Sequence, residues 1–192
     1  MKKLLSILAI LCLFSPLMFA DEEGDEYDDG YTYEQNGAGD QFIKIDVMAN
    51  FPINFDSQVK IGLAASLGYY RFLTKQIAVG GDVIVGYNVT VGKKALFTAP
   101  ITLGVMYQPY IGKFEFPIFA NIGIATSSCQ GMTHFPSFSA KLTAGAYYRM
   151  FESWSFGLVS SLYWIPQFIR EDTSKNDNGI FVTAGITARY HF

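Results

Sequence analysis

From Gln41 to Phe192 apolar and polar residues alternate with a period of two, and the alternation recurs in eight segments. Successive side chains of a strand point to opposite faces, so each segment reads as a strand with one apolar and one polar face. In the first, Ile43, Ile45, Val47, Ala49 and Phe51 oppose Lys44, Asp46, Met48 and Asn50. The others lie at 61–69, 77–88, 98–107, 118–125, 138–149, 156–164 and 182–192. A few residues break parity: Gly81 falls on the apolar face, and Ile84, Met106, Phe119 and Val159 on the polar one. The fold class is therefore all-β, with antiparallel up-and-down strands.

Alternation alone fits a soluble lipocalin-like barrel or a sandwich as well as a membrane barrel. The content of the polar face separates them. It carries Gly62, Gly68, Gly80, Gly86, Gly104, Gly123, Gly145, Gly157 and Gly185. A water-facing strand surface favours Lys, Glu and Thr, whereas glycine weakens strands and adds no solubility. Inside a narrow eight-stranded barrel, where side chains barely fit, glycine makes sense. The segments also have the length, about 9–11 residues, that a tilted strand needs to cross a bilayer, and eight is the smallest strand count of such barrels. Aromatics fall near segment ends: Tyr69, Tyr107, Tyr190 and Phe192 at one level, Phe51, Tyr87, Phe138 and Trp164 at the other. Two girdles at two interfaces are expected of a transmembrane barrel.

Connector lengths alternate. Those near Thr74-Lys75, at 109–113 and at Glu152-Ser153 are short, while 126–136 and 166–179 read as longer loops. Short turns on the periplasmic side and longer outer loops are usual. Pro52, Pro100, Pro109, Pro117, Pro136 and Pro166 are expected at strand ends or in connectors, where a missing N–H is tolerated.

The N-terminus has a different character. Lys2 and Lys3, an apolar run over 4–14, Ser15-Pro16 and Met18-Phe19-Ala20 read as a secretory signal peptide over 1–20, cleaved between Ala20 and Asp21. Residues 21–40 hold nine acids and no base, a segment expected to be disordered. Residues 41–192 form the barrel. Without the signal, Cys129 is the single cysteine, so no intramolecular disulfide forms.

The last strand, Val182-x-Ala184-x-Ile186-x-Ala188-x-Tyr190-x-Phe192, ends on an aromatic. It resembles the C-terminal signature of bacterial outer-membrane proteins, and the whole region 41–192 resembles the OmpA-transmembrane/OmpX/OmpW group. The acidic leader followed by GDQFIKIDVMANFPINF is similar to small treponemal outer-membrane barrels. The resemblance implies that Tyr190 and Phe192 form a signal read by the barrel-assembly machinery. It also implies partners in outer-membrane lipid and that machinery, and an OmpW-like narrow conduit for small polar or apolar solutes as one function.

Chemistry-bearing constellations are sparse. Of the two histidines, His191 lies on the polar face beside the terminus and His134 in the 126–136 segment near Ser127, Ser128 and Ser137, with no acid placed to orient either. One mature cysteine and two scattered histidines make no metal site, no phosphate loop opens a helix, and no cofactor is expected. With 12 basic and 17 acidic residues after residue 20, the charge of −5 argues against nucleic acid. One polar constellation remains: Lys44, Asp46, Asp82, Glu115, Lys141, Arg149 and Arg189 share the inward parity. They read either as a salt-bridged plug or as a gated polar path. The expected function is a non-enzymatic structural or surface-exposed outer-membrane protein. The alternatives are a narrow channel and a protein binding a ligand or a host surface through outer loops such as 170–177.

Overall fold

A computed structural model describes residues 36–54, 59–129, 132–167 and 177–192. The expected signal peptide and cleavage point, the first part of the acidic segment and most of the expected 170–177 loop lie outside the described residues. Eight long strands follow the alternating segments: β1 (Gln41–Pro52), β2 (Gly62–Phe72), β3 (Ile77–Val89), β4 (Ala95–Tyr107), β7 (Ile118–Cys129), β8 (Met132–Phe151), β9 (Trp154–Gln167) and β10 (Asp177–His191). Two short strands, β5 (Tyr110–Ile111) and β6 (Phe114–Glu115), form a small hairpin between β4 and β7. Each long strand pairs antiparallel with its neighbours. Pairing of β1 with β10, from Phe42↔His191 to Pro52↔Phe181, closes the sheet into an eight-stranded barrel. Closure leaves none of the eight long strands as an open edge.

The parity is that of a membrane barrel. Aliphatic residues cover the outside: Ile45, Val47, Leu63, Leu67, Leu103, Ile122, Leu158 and Ile186 are exposed, Leu103 to 71%. The inside holds Lys44, Asp46, Ser66, Asp82, Thr102, Asn121, Lys141, Thr187 and Arg189, all buried. Ile84, Met106, Phe119 and Val159, the parity breakers, are indeed buried within, where they fill space between polar groups. Tyr69, Tyr107, Trp154, Tyr190 and Phe192 ring the end that carries the barrel's C-terminus, and Tyr87, Phe97, Phe138 and Trp164 the far end. Trp154 packs on Tyr190 with ring centroids 5.1 Å apart, and Phe138 meets Trp164 edge-on at 6.0 Å.

Glycines set how closely the strands approach. At Gly123 the place of a Cβ is occupied by the backbone of β4, with Thr102 Cα 2.7 Å away. Such sites let the sheet bend tightly, which a small barrel requires.

Two expectations about connectors do not hold. Residues 126–129 and 132–136 are strand rather than loop: β7 runs to Cys129, β8 starts at Met132, and the two remain paired there. Pro136 interrupts this ladder as a bulge between Ala125 and Ser127 rather than ending the strand. Likewise Pro100 lies within β4. The β3–β4 ladder lapses opposite Ala99 and Pro100 and resumes in the same register, while Pro100 still faces Ala125 of β7. Both neighbours hold these segments extended, so a lost donor opens a gap without breaking the strand. The described end of the leader, residues 36–40, is built onto the barrel. Gly39 N–H donates to the Phe72 carbonyl at 2.8 Å, and Asn36 is buried.

Candidate functional site

The seven inward charges fall into two ion-paired groups, adjacent where Lys44 of the first stands opposite Arg189 of the second across β1 and β10. In the first, Lys44 and Asp46 lie two residues apart on β1 and so share a face. Lys44 Nζ is 2.7 Å from Asp46 Oδ2 and 3.4 Å from Asp82 Oδ1 on β3. Lys141 on β8 pairs with Asp82 Oδ2. The same carboxylate accepts from Tyr70 OH on β2 at 2.9 Å and from Asn121 Nδ2 on β7 at 3.3 Å; Asn121 also donates to Tyr70 OH at 2.7 Å. Thr187 on β10 donates to Asp46 Oδ1 at 2.6 Å. Lys44 further lies 5.0 Å from the centre of the Phe119 ring. Six strands thus meet in one network across the lumen. Its two cations and two anions balance, as buried charges require.

The second group lies at the end where the barrel's chain terminates. Arg149 Nη1 is 3.4 Å from Glu115 Oε1 and donates to Asn36 Oδ1 at 3.0 Å, and its Nε donates to the Glu152 carbonyl. Arg189 Nη1 donates to Gln108 Oε1 at 2.7 Å and is 3.5 Å from Glu115 Oε2. Rings surround Arg189: its guanidinium carbon lies 3.6 Å from the Tyr147 centroid, 4.7 Å from Phe42 and 5.4 Å from Phe119. Glu115 reaches this place because the β5–β6 hairpin, turning through Gly112 at φ 55°, folds β6 against β8.

Sequence parity placed the charges inward but did not name their partners. Tyr70, Asn121, Thr187 and Gln108 complete the networks, and each lies on the inward parity of its strand or just beyond it. A Ser155–His191 pair was also missed, with Ser155 Oγ 2.8 Å from His191 Nε2. Arg149 Nη1 lies 2.9 Å from His191 Nδ1 and 3.2 Å from Nε2, so the guanidinium lies against the same ring edge as Ser155. Near the far end, Tyr163 OH donates to Asn50 Oδ1 at 2.9 Å, and Asn50 Nδ2 donates to Asn88 Oδ1 at 2.7 Å. Among the described residues no group of three or more His, Cys, Asp or Glu side chains is placed to hold a metal. The side chains of Cys129 and His134 lie outside the described set.

A closed barrel of eight strands, aliphatic outside and ion-paired inside, is a transmembrane β-barrel. Comparison with known proteins agrees. A protein-family model matches residues 22–190. An uncharacterized protein of Treponema pallidum (strain Nichols) is 25% identical over 208 residues, covering 95% of this chain and 94% of its own. A second uncharacterized protein of that strain is 23% identical over 81% of this chain and 56% of its own. Among solved structures, Neisserial surface protein A superposes with a TM-score of 0.65 at 10% identity, over 80% of this chain and 99% of its own. The outer membrane protein OprG of Pseudomonas aeruginosa superposes with a TM-score of 0.53 at 12% identity, over 82% and 98%. The chain belongs to the family whose model matches residues 22–190, and it has the fold of the small eight-stranded bacterial outer-membrane β-barrels.

Proposed function

We propose that this barrel is a non-enzymatic structural and surface-exposed outer-membrane protein with a closed lumen. The observation that carries this reading is the pairing of the inward charges. Lys44, Asp46, Asp82 and Lys141 bind one another across the lumen, and Glu115, Arg149 and Arg189 form a second layer toward the terminal end. A solute would have to separate buried ion pairs to cross. Breaking a buried pair costs about 3–5 kcal/mol. In this reading residues 1–20 are removed on export and the Tyr190/Phe192 end guides assembly.

Planar-bilayer recording of the refolded full-length mature chain tests the closed lumen. Wild type is expected to show no stable conductance steps, and a Lys44→Ala/Asp82→Ala double variant to open a measurable one. Steady steps in wild type, or a double variant as silent and as stable as wild type, would overturn the plug.

A further inference from the structure

Among the described residues the second charged group is not balanced. It contains Arg149 and Arg189 but one carboxylate, Glu115, and Arg189 has no exposed surface. Arg189 uses one nitrogen, Nη1, for Gln108 and Glu115. Its Nε and Nη2 are buried and meet no acceptor among the described residues, and neither does Gln108 Nε2. Nε–H and one Nη2–H of a guanidinium point side by side. They form the edge that grips a carboxylate with two parallel hydrogen bonds.

We infer that this Arg189 edge, together with Gln108 Nε2, is a binding site for a carboxylate in the terminal end of the lumen. Three lines of physical chemistry lead there. Water can satisfy the donors but leaves one surplus buried positive charge, whereas a carboxylate meets both needs. The first charged group is neutral in itself and lends no anion. Tyr147 stacks at 3.6 Å on the guanidinium, so the free approach is edge-on, which suits a planar carboxylate better than a tetrahedral oxyanion. The carboxylate is either a free small molecule or one of the chain's own acids at 21–34, and the experiment separates these sources.

The test uses the full-length mature chain, labelled with ¹⁵N-arginine, refolded in detergent micelles and observed through its Arg Nε–H resonances. The Arg189 signal is the one missing from Arg189→Lys. Sodium acetate is titrated against sodium chloride at constant ionic strength. The same titration is run on a chain whose acids at 21–34 are all replaced by amides. A saturable downfield movement of the Arg189 signal in both chains assigns the site to a free carboxylate. A signal already downfield and unresponsive in wild type, but acetate-responsive in the amide chain, assigns it to the chain's own acid. The proposal is overturned if acetate moves the Arg189 signal in neither chain. It is equally overturned if acetate raises the unfolding temperature of Arg189→Lys as much as that of wild type, because lysine keeps the charge but lacks the two-donor edge. If Arg189→Lys fails to refold, the signal is assigned through Gln108→Leu, whose only large Nε–H change is at its partner. The titrations of the two chains then decide the matter.

Discussion

Replacing Asp82 with Asn keeps the shape of the central network and removes one charge. Asp82 is the carboxylate on which most of that network converges. It neutralises Lys141, sits 3.4 Å from Lys44 Nζ, and accepts from Tyr70 and Asn121. At an effective dielectric of about 20, a pair 3.4 Å apart is worth about 5 kcal/mol before desolvation. Lys44 keeps Asp46 at 2.7 Å, so the cation left stranded is Lys141, which is buried. Orphaning one member of a buried pair costs about 3–5 kcal/mol, and that is the destabilisation expected of Asp82→Asn. Removing the orphan as well, in Asp82→Asn/Lys141→Met, should recover most of it, because an apolar replacement of both partners is often close to neutral. Urea unfolding in lipid vesicles, followed by tryptophan fluorescence and by the difference in gel mobility between folded and boiled samples, measures both variants. A loss below about 1 kcal/mol for the single variant, or losses that simply add in the double, would mean that Lys141 is already solvated by lumenal water. The closed-lumen account would then fail.

Two further outcomes follow from the geometry. Leu103 is 71% exposed and lies between Phe97 and Tyr107 on β4, within the hydrocarbon band; Leu103→Arg is expected to cost about 2–4 kcal/mol in vesicles. A neutral result there would contradict the lipid-facing assignment. Gly68→Val inserts a side chain where a Cβ already lies 3.2 Å from Lys44 Cε; overpacking of this kind costs about 1–3 kcal/mol. Gly92→Ala, whose nearest neighbour would be Thr90 Oγ1 at 3.9 Å, serves as the control and should leave the unfolding midpoint unchanged.

Parity carried most of the fold. From Ile43 to Phe192 it told which residues face lipid, because a period of two survives any height or tilt of the strand. Ile84 and Phe119 looked like faults in the pattern and are in fact the apolar filling between polar groups. Residues 126–136 were misread for a definite reason. Serines, Gly131 and Pro136 are local loop signals, but β4 offers Leu96 to Pro100 as pairing partners for β7 on one side, and β8 pairs with it on the other. Ladder bonds to both neighbours outweigh a local preference. The β5–β6 hairpin left no periodic trace because two residues are too few to show a period.

Height along the barrel axis is the quantity that parity lacks, and the candidate site depends on it. Lys44, Gly68 and Asp82 are direct partners across β1, β2 and β3. Lys44 and Asp82 are separated by a whole strand, yet their side chains meet because the residue between them has none. On β7 and β8 the register sets Asn121 opposite Lys141, which brings the amide and the ammonium to the same Asp82 carboxylate. Glycine and charge on the inward face are therefore one arrangement rather than two compositional oddities. The glycine gives the space, the register gives the level, and a charge pair two strands apart closes over the gap. A larger side chain at position 68 would leave every strand and every parity unchanged and still separate Lys44 from Asp82, so the closed lumen rests on register and on one absent side chain more than on the alternation that first revealed the barrel.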